Sequence, residues 1–241
     1  MMKRITLLLV FAVLNGMLVR SAGQYMDRNF SLSLNYNYTT TAKLFLNPKA
    51  SEEILRNSSV PLEGIYSPSL DLRYRLTDDI LLGFNIEYIK KTAVGPNLTV
   101  LAGDGTQTID VEDGFKLIPF ELSGYYLVPF STESFKFLMG GGVAYYYGEH
   151  LRKFGDEEVS NVSREFAYGI QLSISSDYMI NRYLSVRGEM KFRDPDFEVT
   201  SKYSKKRVNY NGDTIVLAQD TFQSRINMDG VTFTLGLALH F

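Results

Sequence analysis

The chain has 241 residues and no cysteine, and its 25 basic and 27 acidic residues give a formal net charge of −2. The absence of cysteine excludes a disulfide framework, a thiolate metal site and a lipid-modified amino-terminal cysteine. The slightly acidic balance disfavours nucleic acid as a partner. The length fits a single domain.

The first 23 residues have the pattern of a secretory signal peptide. A basic start is followed by a mostly apolar run over 5–19 and by small residues at 21–23. That run of ~15 residues is shorter than the ~20 that a membrane-spanning helix needs. We predict cleavage before Gln24, so that 24–241 form the mature domain with a net charge of about −5 after loss of three basic residues. No later apolar run is long enough for a membrane helix, so a membrane location requires a closed barrel.

Eight segments alternate apolar and polar side chains, which predicts β-strands with two different faces. In chain order they are 30–39, 69–76, 80–88, 118–126, 137–147, 166–175, 184–193 and 231–241. The last is the clearest, because every second residue from Val231 onward is large and apolar. Pro119 lacks an amide hydrogen and predicts a bulge or a frayed edge in the fourth segment.

The connections between the segments alternate between long and short. The longer ones include 40–68, 91–114 and 194–225, and the short turns lie at 77–79, 128–134 and 177–182. Within the last long connection, Tyr210-Asn-Gly-Asp213 predicts a hairpin turn. Gly103-Asp-Gly105 indicates a second protruding hairpin.

The alternation alone leaves open which face points inward, since a soluble lipocalin-type barrel would be apolar inside. The charges favour a polar interior, because a balanced set of acids and bases can pair within a narrow lumen. Tyrosines near strand ends also suit an interfacial aromatic girdle: Tyr36, Tyr38, Tyr88, Tyr126, Tyr145 and Tyr147. The predicted interior charge network consists of Asp71, Arg73, Arg75, Glu87, Glu121, Arg187, Glu189, Lys191 and Arg193.

Three segments, 118–126, 137–146 and 229–241, carry a resemblance to the bacterial outer-membrane β-barrel family, the small OmpA-like or OmpX-like barrels. The resemblance implies an all-β fold, an eight-stranded antiparallel up-and-down transmembrane β-barrel in the bacterial outer membrane. It implies periplasmic short turns, extracellular long loops, and contact with outer-membrane lipid and lipopolysaccharide. It also implies that the outer-membrane assembly machinery reads a signal at the end of the chain, formed by Phe233, Leu235, Leu237, Leu239 and Phe241.

Catalytic candidates are few. His150-Leu-Arg152 lacks the His-x-Ser pair of a lipid A deacylase-like barrel. Asp78 and Asp79 fall in a short turn, whereas an omptin-like protease needs its acids at the extracellular rim. His150 and His240 are expected near opposite ends of the barrel, so they do not share a metal. The sequence therefore predicts no enzyme, no cofactor and no metal site.

Two functions remain. The first is a non-enzymatic, structural or loop-mediated surface-binding protein with a salt-bridged polar interior, and an extracellular ligand on its loops. The alternative is a narrow, porin-like channel for ions or small solutes, although eight strands enclose only side chains or one small ligand. A basic last loop, with Lys202, Lys205, Lys206 and Arg207, is a candidate site for lipopolysaccharide phosphates or for an acidic host or surface partner, although exposed loop charges usually only solvate the loop.

Overall fold

The computed structural model describes residues 28–102, 105–164, 166–217 and 219–241; the predicted signal peptide lies outside them. These residues contain one short helix, α1 (Glu53–Asn57), and no helix that is long and apolar enough to cross a membrane. All other elements are strands: β1 (Phe30–Phe45), β2 (Ser59–Arg75), β3 (Ile80–Glu87), β4 (Ile89–Ala102), β5 (Gly105–Leu127), β6 (Phe135–Phe154), β7 (Glu157–Glu158), β8 (Ser160–Arg164), β9 (Ala167–Asn181), β10 (Leu184–Arg193), β11 (Asp196–Lys202), β12 (Arg207–Tyr210), β13 (Asp213–Val216), β14 (Thr221–Asn227) and β15 (Val231–His240).

Eight of the strands form a closed antiparallel ring in the order β1, β2, β3, β5, β6, β9, β10 and β15. The first and last strands close it, with Leu34 opposite Leu237. The short turns all lie at one end of the ring, which we call the turn side. Because each strand pairs with the next member along the chain, the topology is up-and-down.

At the end opposite the turn side, the wall of the ring continues a long way. β5 alone has 23 residues, about twice the ~9–11 that a membrane-crossing strand needs. β4 prolongs β3 on β5, β11 prolongs β10, and β14 pairs with both β1 and β11. We call this part the distal extension: the described residues of 40–65, 89–117, 148–164 and 194–230.

The distal extension corrects three of the predicted connections. Much of 40–68 is strand, because β1 runs to Phe45 and β2 begins at Ser59. The predicted loop 91–114 is the paired ribbon of β4 and β5. The predicted loop 194–225 contains β11, β12, β13 and most of β14. In each of these three connections the period-two alternation persists, but polar side chains occupy much of the outer face, so the apolar signal is weaker. At the turn side, the predicted turn 177–182 is also shorter, since β9 continues to Asn181.

Pro119 lies where a hydrogen-bonded ladder is interrupted. The β3 pairing ends at Ile86–Phe120 and the β4 pairing resumes at Ile89–Leu117 in the same register. Pro119 thus faces a gap in the pairing and needs no amide hydrogen there. The structure has this interruption in the pairing where the sequence predicted a bulge or a frayed edge.

The predicted hairpin at Tyr210–Asp213 is confirmed. β12 and β13 pair there, and the two central residues have positive φ, 53° at Asn211 and 96° at Gly212. Such angles define the two-residue turn that suits Asn-Gly. The turn predicted at Gly103 joins paired strands, but Gly103 and Asp104 lie outside the described residues.

The outer face of the ring is apolar, as predicted. Leu34, Leu235 and Ile170 expose 67%, 65% and 76% of their surface, so this belt requires apolar surroundings. Tyrosines stand at its distal edge, where Tyr36 and Tyr38 stack with Tyr66. Beyond them the outer face turns polar, at Lys43, Glu63, Lys90, Lys116 and Glu149. The belt therefore ends where the distal extension begins.

Close packing inside the distal extension predicts a large effect of one methyl group. A Cβ added at Gly148 of β6 would lie only 1.9 Å from the Phe197 ring, whereas a Cβ at Gly124 of β5 would meet no atom within 4 Å. We expect Gly148→Ala to lower the free energy of unfolding by about 1–3 kcal/mol. Urea titration in phospholipid vesicles measures this, with Gly124→Ala as the matched control. Equal stability of the two variants would contradict the packing described here.

Candidate functional site

The turn-side half of the lumen contains an ionic layer centred on Arg187 of β10. Its Nε and Nη2 donate to the two carboxylate oxygens of Asp177 at 2.7 and 2.9 Å. Its Nη1 donates to Asp71 Oδ1 at 2.6 Å. Arg187 is fully buried, and its guanidinium therefore links β10 to both β9 and β2 inside the ring.

Arg73 of β2 extends this turn-side ionic layer. Its Nε donates to Asp71 at 2.8 Å and its Nη2 donates to Glu189 at 2.5 Å. Its guanidinium also lies 3.9 Å from the centre of the Tyr125 ring. Planar guanidinium groups suit such buried, forked ion pairs because they donate in fixed directions. Arg73 and Glu189 thus join two strands that are not neighbours in the ring.

A distal ionic layer lies above the first. Lys191 Nζ donates to Glu121 at 2.5 Å, and Arg193 Nη1 donates to Glu87 at 2.6 Å and to Glu121 at 2.9 Å. β10 and β3 stand four places apart in the ring of eight, so the Arg193–Glu87 pair crosses the whole lumen. The two ionic layers therefore fill the interior with paired side chains.

The structure places all nine residues of the predicted charge network in the interior, and all are buried. Eight belong to the two ionic layers. The ninth, Arg75, lies at the turn side, where it donates to the Arg28 carbonyl oxygen at 2.8 Å. Asp177 is the member that sequence reasoning missed, because it was assigned to a turn. The alternation of Gln171, Ser173 and Ser175 would have found it on the same inward face.

An apolar layer follows above the distal ionic layer. Residues from most strands of the wall meet there, and they expose at most 4% of their surface: Ala42, Leu44, Leu62, Ile65, Ile89, Phe115, Leu117, Ala144, Tyr146, Ala167, Phe197, Val199, Ile226 and Met228. An ion on the barrel axis would lose its hydration here without gaining a polar partner. The apolar layer thus separates the ionic layers from the distal end.

A polar cluster lies further along the axis, within the distal extension. Arg152 Nε and Nη2 donate to the two oxygens of Asp113 at 2.7 and 3.1 Å, and Nη1 donates to the Tyr203 hydroxyl at 2.9 Å. His150 Nε2 lies 3.3 Å from Asp113, but neither ring nitrogen makes a hydrogen bond of ordinary geometry within the described residues. Asp113 falls within the predicted loop 91–114, whereas the structure places it on β5 as a buried partner of Arg152.

Burial and neighbouring charges set the pKa values of this cluster. Burial lowers the pKa of His150, and the Asp113 carboxylate offsets this only in part. Burial acts to raise the pKa of Asp113, but His150 and the charge of Arg152 outweigh it, so that the pKa is lowered. Near neutral pH the cluster therefore contains a neutral imidazole and a carboxylate neutralised by Arg152.

We expect acidification to loosen the distal extension. Because the folded-state pKa of His150 is below its ordinary value, the unfolded state binds more protons between the two, and stability in that window falls as the pH falls. Free energies of opening from amide exchange, corrected for intrinsic rates, should fall from pH 7 to pH 5 around β6 and β14. His150→Phe should remove this dependence; an unchanged dependence in the variant would assign it to another group.

The basic last loop is paired with acidic residues of another loop. Lys205 Nζ donates to Asp156 at 2.6 Å, and the Asn209 amide donates to the other Asp156 oxygen at 3.0 Å. The Ser204 amide and hydroxyl donate to the Glu157 carboxylate. These contacts fasten the β12–β13 hairpin to the end of β6. The site predicted for lipopolysaccharide phosphates is therefore partly neutralised by the chain itself.

A groove opens at the end of the distal extension. One cleft of about 250 Å³ has Arg152, Tyr203 and Phe222 on one side. A second cleft of about 440 Å³ shares Asn47, Gln219 and Phe222 with the first. We call the two together the distal groove; its other described lining residues are Leu46, Pro48, Lys49, Ala50, Asn97, Leu98, Thr99, Thr200, Leu217, Thr221 and Gln223.

The second histidine lies at the opposite end. His240 Nε2 is 2.8 Å from Ser185 Oγ, and both side chains are buried at the turn side. The two histidines are far apart along the wall, as the sequence predicts. Within the described residues, no three or more His, Asp or Glu side chains come together in a way that would hold a metal ion.

The comparisons with known proteins address the fold. No protein-family model matches the sequence, and no curated protein matches it. Among solved structures, outer membrane protein OprG from Pseudomonas aeruginosa aligns over 92% of this chain and 99% of its own, with a TM-score of 0.62 and 13% identity. Neisserial surface protein A (NspA) aligns over 88% and 97% (TM-score 0.45, 14% identity). Outer membrane protein AlkL, solved in lipid bilayers, aligns over 92% and 93% (TM-score 0.45, 12% identity).

The closed ring of eight strands, its apolar outer face and its polar interior define the fold of a small bacterial outer-membrane β-barrel. The likeness to OprG, at low identity, supports the fold alone. It confirms the predicted fold class and the resemblance to the small outer-membrane barrels. The predicted location in the outer membrane agrees with it.

Proposed function

We propose that this protein is a non-catalytic integral protein of the bacterial outer membrane that presents its distal extension outside the cell as a binding surface. The observation that carries the proposal is a difference between two parts of the barrel along its axis. The membrane part is filled by two ionic layers, whereas the distal extension has an ordered wall and an open groove. Binding residues commonly lie on such loop-side structure above a rigid scaffold.

The side chains on the outer face of the ring are of the kinds that the predicted partners would contact. Outer-membrane lipid contacts the apolar belt. Lipopolysaccharide meets its distal edge, where Lys43 and Lys116 follow the tyrosines and are paired with Asp229 and Glu149. We also propose that the assembly machinery reads the terminal strand. Phe233, Leu235, Leu237, Leu239 and Phe241 all point outward, and Phe241 stacks on Phe30 with ring centres 5.9 Å apart.

The alternative, a narrow channel, needs a hydrated path along the axis. Such a path would have to pass the Arg193–Glu87 pair that crosses the lumen and then the apolar layer. Breaking a buried ion pair costs several kcal/mol, and each ion that passes would meet that cost. The interior of this barrel therefore favours a rigid scaffold over a conducting pore.

Planar-bilayer recording tests the proposal. The purified full chain should be silent under conditions in which a sixteen-stranded porin, used as the insertion control, conducts. The variants Arg73→Gln and Glu121→Gln are recorded alongside, because a real axial path would change its ion selectivity in opposite directions. A steady conductance of the unmodified protein with such shifts would overturn the proposal and support the channel.

A further inference from the structure

The distal groove is the part of the binding surface whose chemistry the structure specifies most fully. Its described lining is rich in amide and threonine side chains, which come from four separate parts of the distal extension: Asn47, Asn97, Thr99, Thr200, Gln219, Thr221 and Gln223. Amide and hydroxyl groups both donate and accept hydrogen bonds. Such a lining matches a ligand that carries many hydroxyl groups.

The charges of the groove are balanced within the protein. Its two described charged lining residues are Arg152 and Lys49, and each has an acidic partner. Arg152 is held by both oxygens of Asp113, and Lys49 lies 3.2 Å from Glu198. An anionic ligand would have to compete with these carboxylates, and a cationic ligand would find no free acid in the described lining. The electrostatics thus favour a neutral ligand.

One donor in the groove has no partner. Asn97 Nδ2 is shielded from solvent and makes no hydrogen bond within the described residues. Buried polar atoms are nearly always paired, because an unpaired one costs free energy. Asn97 also lines the first cleft, so a turn of its side chain into the groove would bring this nitrogen to a ligand oxygen. An apolar ligand would leave Asn97, Gln219 and the threonines without partners.

The groove also has an aromatic wall. The Phe222 ring lies 4.9 Å from the Tyr203 ring, with the Arg152 guanidinium 4.6 Å from its centre on the same wall. Phe222 lines both clefts. A sugar ring presents an apolar C–H face and a hydroxyl edge, which suits an aromatic surface facing amides. The two clefts, at about 250 and 440 Å³, are near the lower end of the ~300–1,000 Å³ of ordinary ligand pockets.

We propose that the distal groove binds a neutral saccharide, with Asn97 and Gln219 as hydrogen-bonding residues and Phe222 as the contact for the sugar face. The inference rests on the proposed function, because it names the ligand class of that binding surface. Two sources share this chemistry: the neutral core sugars of lipopolysaccharide and the glycans of another cell.

Binding is measured on the full chain in phosphatidylcholine nanodiscs, free of lipopolysaccharide and of sugar-based detergent. The probes are N-acetyllactosamine, a neutral core oligosaccharide of lipopolysaccharide freed of Kdo and phosphate, and sulfated lactose. We expect saturable binding of at least one neutral probe and none of sulfated lactose. Preference for the core oligosaccharide would assign the groove to the cell's own envelope, and preference for N-acetyllactosamine to a foreign glycan.

Two substitutions test whether the neutral probe binds in the distal groove. Asn97→Leu and Gln219→Leu should each weaken binding of the neutral probe by about tenfold, the loss of one or two hydrogen bonds. Gln107→Leu is the matched control, because Gln107 is exposed on β5 in the same extension but does not line the groove. Unchanged affinity in both groove variants, or binding of sulfated lactose alone, would overturn the inference.

The two proposals fail in different ways. No binding of any neutral probe, by protein that still migrates as a folded barrel and is silent in bilayers, overturns the saccharide inference and leaves the proposed function standing. Conductance of the unmodified chain overturns the proposed function itself.

Discussion

Replacing Arg187 by methionine is expected to lower the free energy of unfolding by about 3–5 kcal/mol, the cost of leaving a buried charge unpaired. Arg187 supplies both hydrogen bonds that neutralise Asp177, and it shares Asp71 with Arg73. In the variant Asp71 keeps Arg73, whereas Asp177 remains buried without the two hydrogen bonds that Arg187 donates to it. Urea titration of the protein folded in phospholipid vesicles measures the change.

The double variant Arg187→Met, Asp177→Asn tests the cause. Since it removes the orphaned carboxylate, it should be more stable than the single variant, and the two substitutions should be strongly non-additive. Lys43→Met is the matched control, because its partner Asp229 lies on the surface of the distal extension, where ion pairs contribute little. Simple additivity of the two interior changes would mean that the Arg187–Asp177 pair is not what stabilises the lumen.

Leu237→Arg is expected to cost about 2–4 kcal/mol of folding free energy in vesicles, as a charge does at the bilayer midplane. Leu237 points outward from β15, exposes 53% of its surface and pairs with Leu34, which lies midway between Phe30 and Tyr38 on β1. A guanidinium there would face hydrocarbon with no partner. The same urea titration gives the value.

Thr234→Arg provides the comparison on the opposite face of the same strand. Thr234 is half-buried, donates to Asn37 at 2.8 Å and stands opposite Glu189 on β10. Glu189 Oε1 accepts no hydrogen bond within the described residues, so the new guanidinium would find a carboxylate. We expect a smaller loss than for Leu237→Arg. Equal losses would mean that the inward and outward faces of β15 are wrongly assigned.

The membrane part of the fold could be predicted from the sequence because its alternation is simple. The segment 184–193 is β10 to the residue, since its outward residues are apolar and its inward residues are charged. The interior network could be predicted from the balanced charges, because buried acidic side chains need buried basic side chains as partners. Asp177 was not predicted as an interior residue, because an aspartate between two predicted strands also fits a turn.

The distal extension was harder to predict. There the outer face meets water, so polar residues such as Lys90 and Lys116 stand where the membrane part has leucine, and the segments read as loops. The distal groove was beyond sequence reasoning altogether. Its lining comes from positions as far apart as Asn47 and Gln219, and only the pairing of distant strands brings them together.

The seam between β1 and β15 has a consequence for biogenesis. It joins the two ends of the domain, with Asn37 and Thr234 in contact although they are 197 residues apart. Until β15 pairs with β1, the two edges of the sheet carry unpaired backbone groups. Such groups are costly in lipid, and in water they promote pairing with other chains. Pairing across so large a separation is slow. We therefore expect folding to finish only when the carboxy-terminal strand pairs with the amino-terminal one.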